Sequence, residues 1–395
     1  MFDHVVLRRA SDGRAISAGQ IAEALLYYQK VHLVIDRGTL LELLKQLGID
    51  ALLSLLRRAD TSAVYCEEIL ATKTDSVGPL QTHAFVAFMI ASDASGVPLK
   101  TAEDRLLRDV QLAGIDKQGA KRFVKAFLTR VPTRKLSGTH FATEGITESA
   151  KRDVLNQGFV ADAVREALRV MPGGYAAGPD LKFDVIDSEL GLYVFTNIDL
   201  ESVNRRRAAL TPAEEPVTVA HLLNSVQEAR ADLTLASFYG GDFVTAAATS
   251  AIIQVRHAEL LKRSTLNAEA RDSFIEVVMP DSRSLAEVID SGERTFGEFL
   301  LLLDRAARFK DWLKKANPDE GLIRSYVAQL SSESWIQRLP AKSLRYVLTL
   351  ALDATNPVAG AVAGFADSFI VEKLLQGWRP NHFVASRLRP FIEGK

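Results

Sequence analysis

Val31-His32-Leu33-Val34-Ile35, closed by Asp36, is the stretch on which the fold turns. It is short, apolar and rich in β-branched side chains, the composition of a buried strand rather than a helix. Upstream, residues 5–7 read as another short strand. Ser17-Ala18-Gly19-Gln20 matches the Ser-x-x-Gln capping box, so a helix is expected over 17–30. Downstream, Leu40, Leu43, Leu44 and Leu47 recur at helical spacing until Gly48, a residue suited to the position just past a helix end. Asp50 can cap a second short helix carrying Leu52, Leu53, Leu55 and Leu56. Residues 63–70 and 84–90 read as further strands. Strand, helix, strand, helix, strand is the signature of an α/β layer with a partly parallel sheet.

Beyond this layer the pattern turns helical. Residues 101–130 form helices interrupted at Gly114-Ile115-Asp116, and 132–145 is a polar loop. A helix is expected over 151–170. Leu181, Phe183 and Val185 then alternate with polar neighbours into the Asp187-to-Gly191 turn, a β-hairpin over 181–198. Helices are expected over 219–226, 243–262, 284–289, 295–315 and 319–330, with a strand at 274–279. The fold class expected is therefore α/β plus mostly α. An α/β domain with trailing basic helices spans 1–135, and a larger, mainly helical domain spans 146–395. The second contains the β-hairpin and, at 343–375, an apolar helical hairpin. No internal repeat of fixed period is visible.

Composition narrows the function classes. Of 395 residues, 47% are hydrophobic, and 48 Lys+Arg face 49 Asp+Glu for a formal net charge of −1, which argues against a globally basic nucleic-acid coat protein. A lone cysteine, Cys66, excludes an internal disulfide framework. Met1 to Arg9 has no secretory leader pattern, so a cytoplasmic protein of bacterial type is expected. The seven histidines are dispersed, with no His-Glu-x-x-His pair, and no metal site is expected from them. Phosphate-loop and nucleophile-elbow motifs do not occur, and no cofactor is implied.

Four groups of residues carry the remaining signals. Asp36 should sit at the carboxyl edge of a strand, where open α/β sheets bind ligands. Glu67 and Glu68, read as part of the third strand, would bring one carboxylate toward it to hold a divalent cation. Lys117, Lys121, Arg122 and Lys125 form a basic face on one helix, with no acidic residue between Asp116 and Glu144, a pattern suited to nucleic-acid phosphate or anionic lipid. The preceding Ala113-to-Asp116 turn resembles that of a helix-turn-helix, although Asp109 and Gly119 stand where that motif places apolar residues. In the apolar hairpin, Gly360 and Gly364 allow close backbone approach, while Asp353 and Asp367 keep either arm short of a membrane span. Trp378, Arg379 and Phe383 make either a docking surface or a lid over the helical core.

The reading favoured is a non-enzymatic sensor or assembly subunit acting through protein–protein contacts, with another protein or a second copy as partner. A membrane-acting effector using 343–375 is the first alternative. A metal-dependent nuclease or hydrolase using Asp36 with Glu67 or Glu68 is the second.

Overall fold

Short apolar runs become strands throughout the first part of the chain. The computed structural model describes residues 2–10, 12–93, 95–279, 282–315 and 380–394. Its strands are β1 (His4–Leu7), β2 (Lys30–Ile35), β3 (Thr61–Tyr65), β4 (Ile69–Val77), β5 (Leu80–Phe88), β6 (Phe183–Ser188), β7 (Gly191–Thr196) and β8 (Asp242–Val244). Two compact units divide the chain. One is built from Met1–Asp3, Ala18–Gln29 and Thr265–Lys395, the other from His4–Ser17 and Lys30–Ser264.

The larger unit holds both sheets. The first runs β3-β2-β1-β8 with every neighbouring pair parallel. Val31, Leu33, Val34 and Ile35 are all buried, which is why β2 reads as a continuous apolar run: a parallel sheet is covered on both faces. Thr133 adds a parallel bridge to Tyr65 beyond β3. The chain steps from β1 to β2 to β3 in one direction and later returns to the other side of β1 with β8. The order of the sheet therefore reverses between β1 and β8.

The second sheet runs β4-β5-β7-β6 and is antiparallel throughout. Its inner face, with Leu70, Phe183, Val185 and Leu192, belongs to the main apolar core. That core also takes in residues of helices α5 (Ile146–Val154), α6 (Gln157–Val170) and α8 (Val219–Tyr239). Helix α2 (Arg37–Arg57) bends at Gly48, whose φ of 72° and ψ of 175° are non-helical, so this glycine joins two helical segments. Helices α3 (Ala102–Leu112) and α4 (Lys117–Arg130) pack as a pair, and α7 (Leu200–Ala208) follows the β6–β7 hairpin.

The smaller unit is helical. It contains α1 (Ala18–Tyr27), the end of α9 (Ala247–Val278), α10 (Leu285–Asp290), α11 (Phe296–Asp304) and α12 (Ala307–Lys315). A C-terminal run of α13 (Pro380–Phe383), a π-helical turn (Val384–Leu388) and α14 (Arg389–Glu393) completes it. Tyr27, Phe274, Phe309 and Phe383 are buried together, with Phe309 and Phe383 stacked at 5.0 Å.

The α/β class, the partly parallel sheet and the 181–198 hairpin are present as the sequence leads one to expect. Some boundaries differ. The strand expected over 63–70 stops at Tyr65, because Glu67 and Glu68 turn toward partners off the sheet and a new strand starts at Ile69. The helix expected over 151–170 is two helices, since Asn156 accepts from Phe159 N and starts the second. Phe243 lies in β8, ahead of the helix expected to contain it. Residues 274–279 are no strand: α9 runs through Val278. The apolar hairpin at 343–375, with Gly360, Gly364, Asp353 and Asp367, lies outside the described residues, as do Trp378, Arg379 and the helix expected over 319–330. Among the described residues no helix is long and apolar enough to cross a membrane.

Candidate interaction site

The carboxyl edge of the parallel sheet is where the sequence places chemistry, and it is densely charged. Asp36 leaves β2 and caps α2, accepting from Thr39 N at 2.8 Å, while its second oxygen pairs with Arg9. Glu67 takes a two-point contact from Arg105 on α3, at 2.9 Å from Nε and 2.5 Å from Nη2. Glu68 accepts from the backbone N and the hydroxyl of Ser137, both at 2.7 Å. The three carboxylates thus go to three different partners. No cluster of three or more metal-ligating side chains forms among the described residues.

Deeper in, Arg8 follows β1 into a buried position between two acids of α8. It pairs with Asp232 and, at 2.5 Å, with Glu228, and Asp232 also accepts from the Thr245 hydroxyl after β8. Burial opposes the Arg8 charge, but the two carboxylates overcome it and hold its pKa above the ordinary arginine value. This network ties α8 to the two strands flanking the switch point.

Cys66 is buried at the same edge, and burial pushes its thiol up to about 12, which leaves it protonated and a poor nucleophile. His32 packs its ring, tilted by 31°, on Tyr239 at 3.9 Å between ring centroids and meets the Ser62 hydroxyl at 2.8 Å through Nδ1. Burial, with His4 nearby, lowers its pKa to about 4.

Helix α4 carries the basic face read from the sequence. Its apolar residues Phe123, Val124 and Phe127 are buried, Phe127 edge-on to Tyr65 at 5.8 Å. Lys117, Lys121, Arg122 and Lys125 are exposed, and none of them forms an ion pair among the described residues. The other arginine cluster, Arg205 to Arg207, is engaged locally: Arg205 with Glu201, Arg206 over the Tyr175 ring, Arg207 with Glu214.

The feature that sequence reasoning missed lies on the antiparallel sheet. Ile69 pairs with Phe88, His83 with Leu192, and Ile186 with Tyr193. Because side chains alternate along each strand, this register puts Ile69, Leu80, Phe88, Ile186 and Phe195 on one face, the one opposite the core. All five are exposed, from 36% for Ile69 to 53% for Ile186. They are five of the twelve large apolar side chains exposed among the described residues; Leu190 in the adjoining turn and Ile90 and Val97 after β5 are three more. Period-two alternation marked one face of 181–185 as core, but only the pairing across strands shows that the other face gathers large apolar side chains as well.

Compared with protein-family models, with curated proteins and with solved structures, the chain finds no match in any of the three.

Proposed function

We propose that this chain is an assembly subunit working by contact rather than by chemistry, and that it buries the outer face of the antiparallel sheet against a second copy of itself. The observation that carries the reading is the five exposed apolar side chains on a face that antiparallel sheets ordinarily leave polar, Leu80, Ile186 and Phe195 toward one end and Ile69 with Phe88 at the other. Exposed apolar patches on soluble proteins mark interaction sites.

A two-fold contact presents the same patch on both sides, so it suits a surface that is apolar and close to charge-balanced. Here Lys73 and Asp75, on the same face, pair at 2.7 Å, which leaves Asp184, opposite Phe195, as the remaining charge of β4 to β7 on that face. Strand spacing and rise give four strands a flat footprint of roughly 500 Å², against about 800 Å² per partner in a standard interface. The dimer expected is therefore a modest, reversible one. The separate partners of Asp36, Glu67 and Glu68 support contact over catalysis, since each carboxylate already serves a helix cap, an arginine or a serine.

Sedimentation velocity over a concentration series tests the proposal. Wild type should pass from monomer to dimer, while Phe195→Asp and Ile186→Lys should stay monomeric with unchanged circular dichroism. A wild type that is monomeric throughout, or a dimer indifferent to both substitutions, would overturn it.

A further inference from the structure

Beyond self-assembly, we infer that α4 is a contact helix for duplex DNA, laying its basic face along the phosphates. Three observations converge on it. The first is charge outside any ion pair: Lys117, Lys121, Arg122 and Lys125 are exposed, form no ion pair among the described residues, and no acidic residue follows Asp116 until Glu144. Most other arginines near this part of the fold are paired, as Arg37, Arg105 and Arg108 are with Asp109 or Glu67. The Asp116 cap feels Arg122 but forms no ion pair with it, so all four cations stay available to a polyanion.

The second is the local architecture. Helices α3 and α4 pack together across a four-residue turn, 113–116, in which Gly114 takes a φ of +86° that other residues rarely adopt. A helix pair joined by such a turn is the frame that presents a second helix to the major groove. Both departures from the motif's residue pattern have a structural cause. Asp109 is buried because Arg37 at 3.1 Å and Arg108 at 2.7 Å neutralise it. Gly119 sits in a tight place, where a Cβ would lie 3.0 Å from Asp116 Oδ2 and 3.2 Å from Ile115 Cγ2.

The third is the shape of the charged face. Lys117, Lys121 and Lys125 fall on one side of the helix, at steps of about 6 Å. The helix keeps its apolar side against Tyr65, so it offers no exposed apolar stripe for insertion among lipid headgroups. Duplex RNA fits less well, because its deep, narrow major groove does not admit side chains from a helix. The α4 N-terminus is already satisfied, as Asp116 accepts from Gln118 N at 2.9 Å and Gly119 N at 3.0 Å. The attraction therefore belongs to the side chains.

The test is fluorescence anisotropy of a labelled mixed-sequence DNA duplex with the full chain over a salt series. Four phosphate contacts should give a slope of log K against log salt of about −3.6, and Lys121→Gln with Lys125→Gln should halve it to about −1.8. Replacing all four cations by Gln should weaken binding about tenfold or more at low salt, whereas Lys117→Arg, Lys121→Arg and Lys125→Arg together should preserve it. All these side chains are exposed, and unchanged circular dichroism confirms the fold of each variant. No binding to DNA at low salt, binding untouched by the Gln set, or tighter binding to duplex RNA or to vesicles of anionic lipid would each overturn the inference.

Discussion

Arg8 and His32 show how single buried residues shape this molecule's behaviour. Arg8 is 6% exposed and its partner Asp232 is fully buried, so neither charge has water to fall back on. Removing one partner of such a pair strands the other, and Asp232→Ala should lower unfolding free energy by about 3–5 kcal/mol in urea titration. Arg8→Met with Asp232→Leu and Glu228→Gln should lose far less, since it leaves none of the three charges without a partner; equal losses would show that packing, not charge, holds this place. His32 makes a pH prediction. Its pKa falls from 6.5 in the unfolded chain to about 4 in the folded one. Between those values the unfolded state holds more protons, so stability is full above 6.5 and drains as pH falls toward 4, by roughly 3 kcal/mol in total. Urea midpoints of His32→Phe should be flatter over that window than those of wild type, and parallel curves would reject the assignment. Neither role was legible in sequence. An arginine after a short strand carries no mark of burial, and a histidine inside an apolar run gives no sign of the tyrosine that covers it from a helix some 200 residues away.

At the level of elements, local signals were sound wherever one chemical feature decides the structure. The β-branched run made β2, the alternation made the β6–β7 hairpin, and Asp116 capped α4 where the helical spacing resumes. They failed where a tertiary partner decides. Cys66-Glu67-Glu68 interrupts an apolar run that otherwise reads as one strand, because the glutamates find Arg105 and Ser137. Phe274 to Met279 reads as β-branched and aromatic, yet nothing stops the helix before it, and Phe274 packs into a helical core. Gly48 sits between these cases: the sequence marks it as a helix end, and it becomes the bend within α2. Its conformation is nearly confined to glycine, and an added Cβ meets nothing within 4 Å. Gly48→Ala should therefore destabilise by about 1–3 kcal/mol through backbone strain alone. The nearby Gly38→Ala, in a helical conformation with its nearest neighbour at 3.6 Å, should be neutral or slightly stabilising. In thermal melts, Gly48→Ala should melt lower than wild type while Gly38→Ala melts at or above it if strain is the cause.

For the whole molecule, the consequential fact is how the chain is shared between its two units. Helix α1 connects β1 to β2 of the parallel sheet, yet it packs with α10, α11 and α12 in the helical unit. Neither periodicity nor composition carries that information, since an amphipathic crossover helix reads the same whichever surface takes it. Of the ten residues of α1, eight are buried, including Ile21, Leu25, Leu26 and Tyr27. A chain ending at Ser264 would keep every strand of both sheets but remove the helices that cover these side chains. Each large apolar side chain left in water forfeits about 1.5–3 kcal/mol, so four of them forfeit about 6–12 kcal/mol, comparable with the 5–15 kcal/mol that holds a typical domain folded. The shortened chain should bind a hydrophobic dye, lack a cooperative melt and aggregate on concentration. Co-expression with residues 265–395 should restore a soluble complex. A shortened chain that melts cooperatively on its own, with dye binding no greater than wild type, would show that α1 can be covered from within the larger unit and that the sharing of the chain is not what stabilises it.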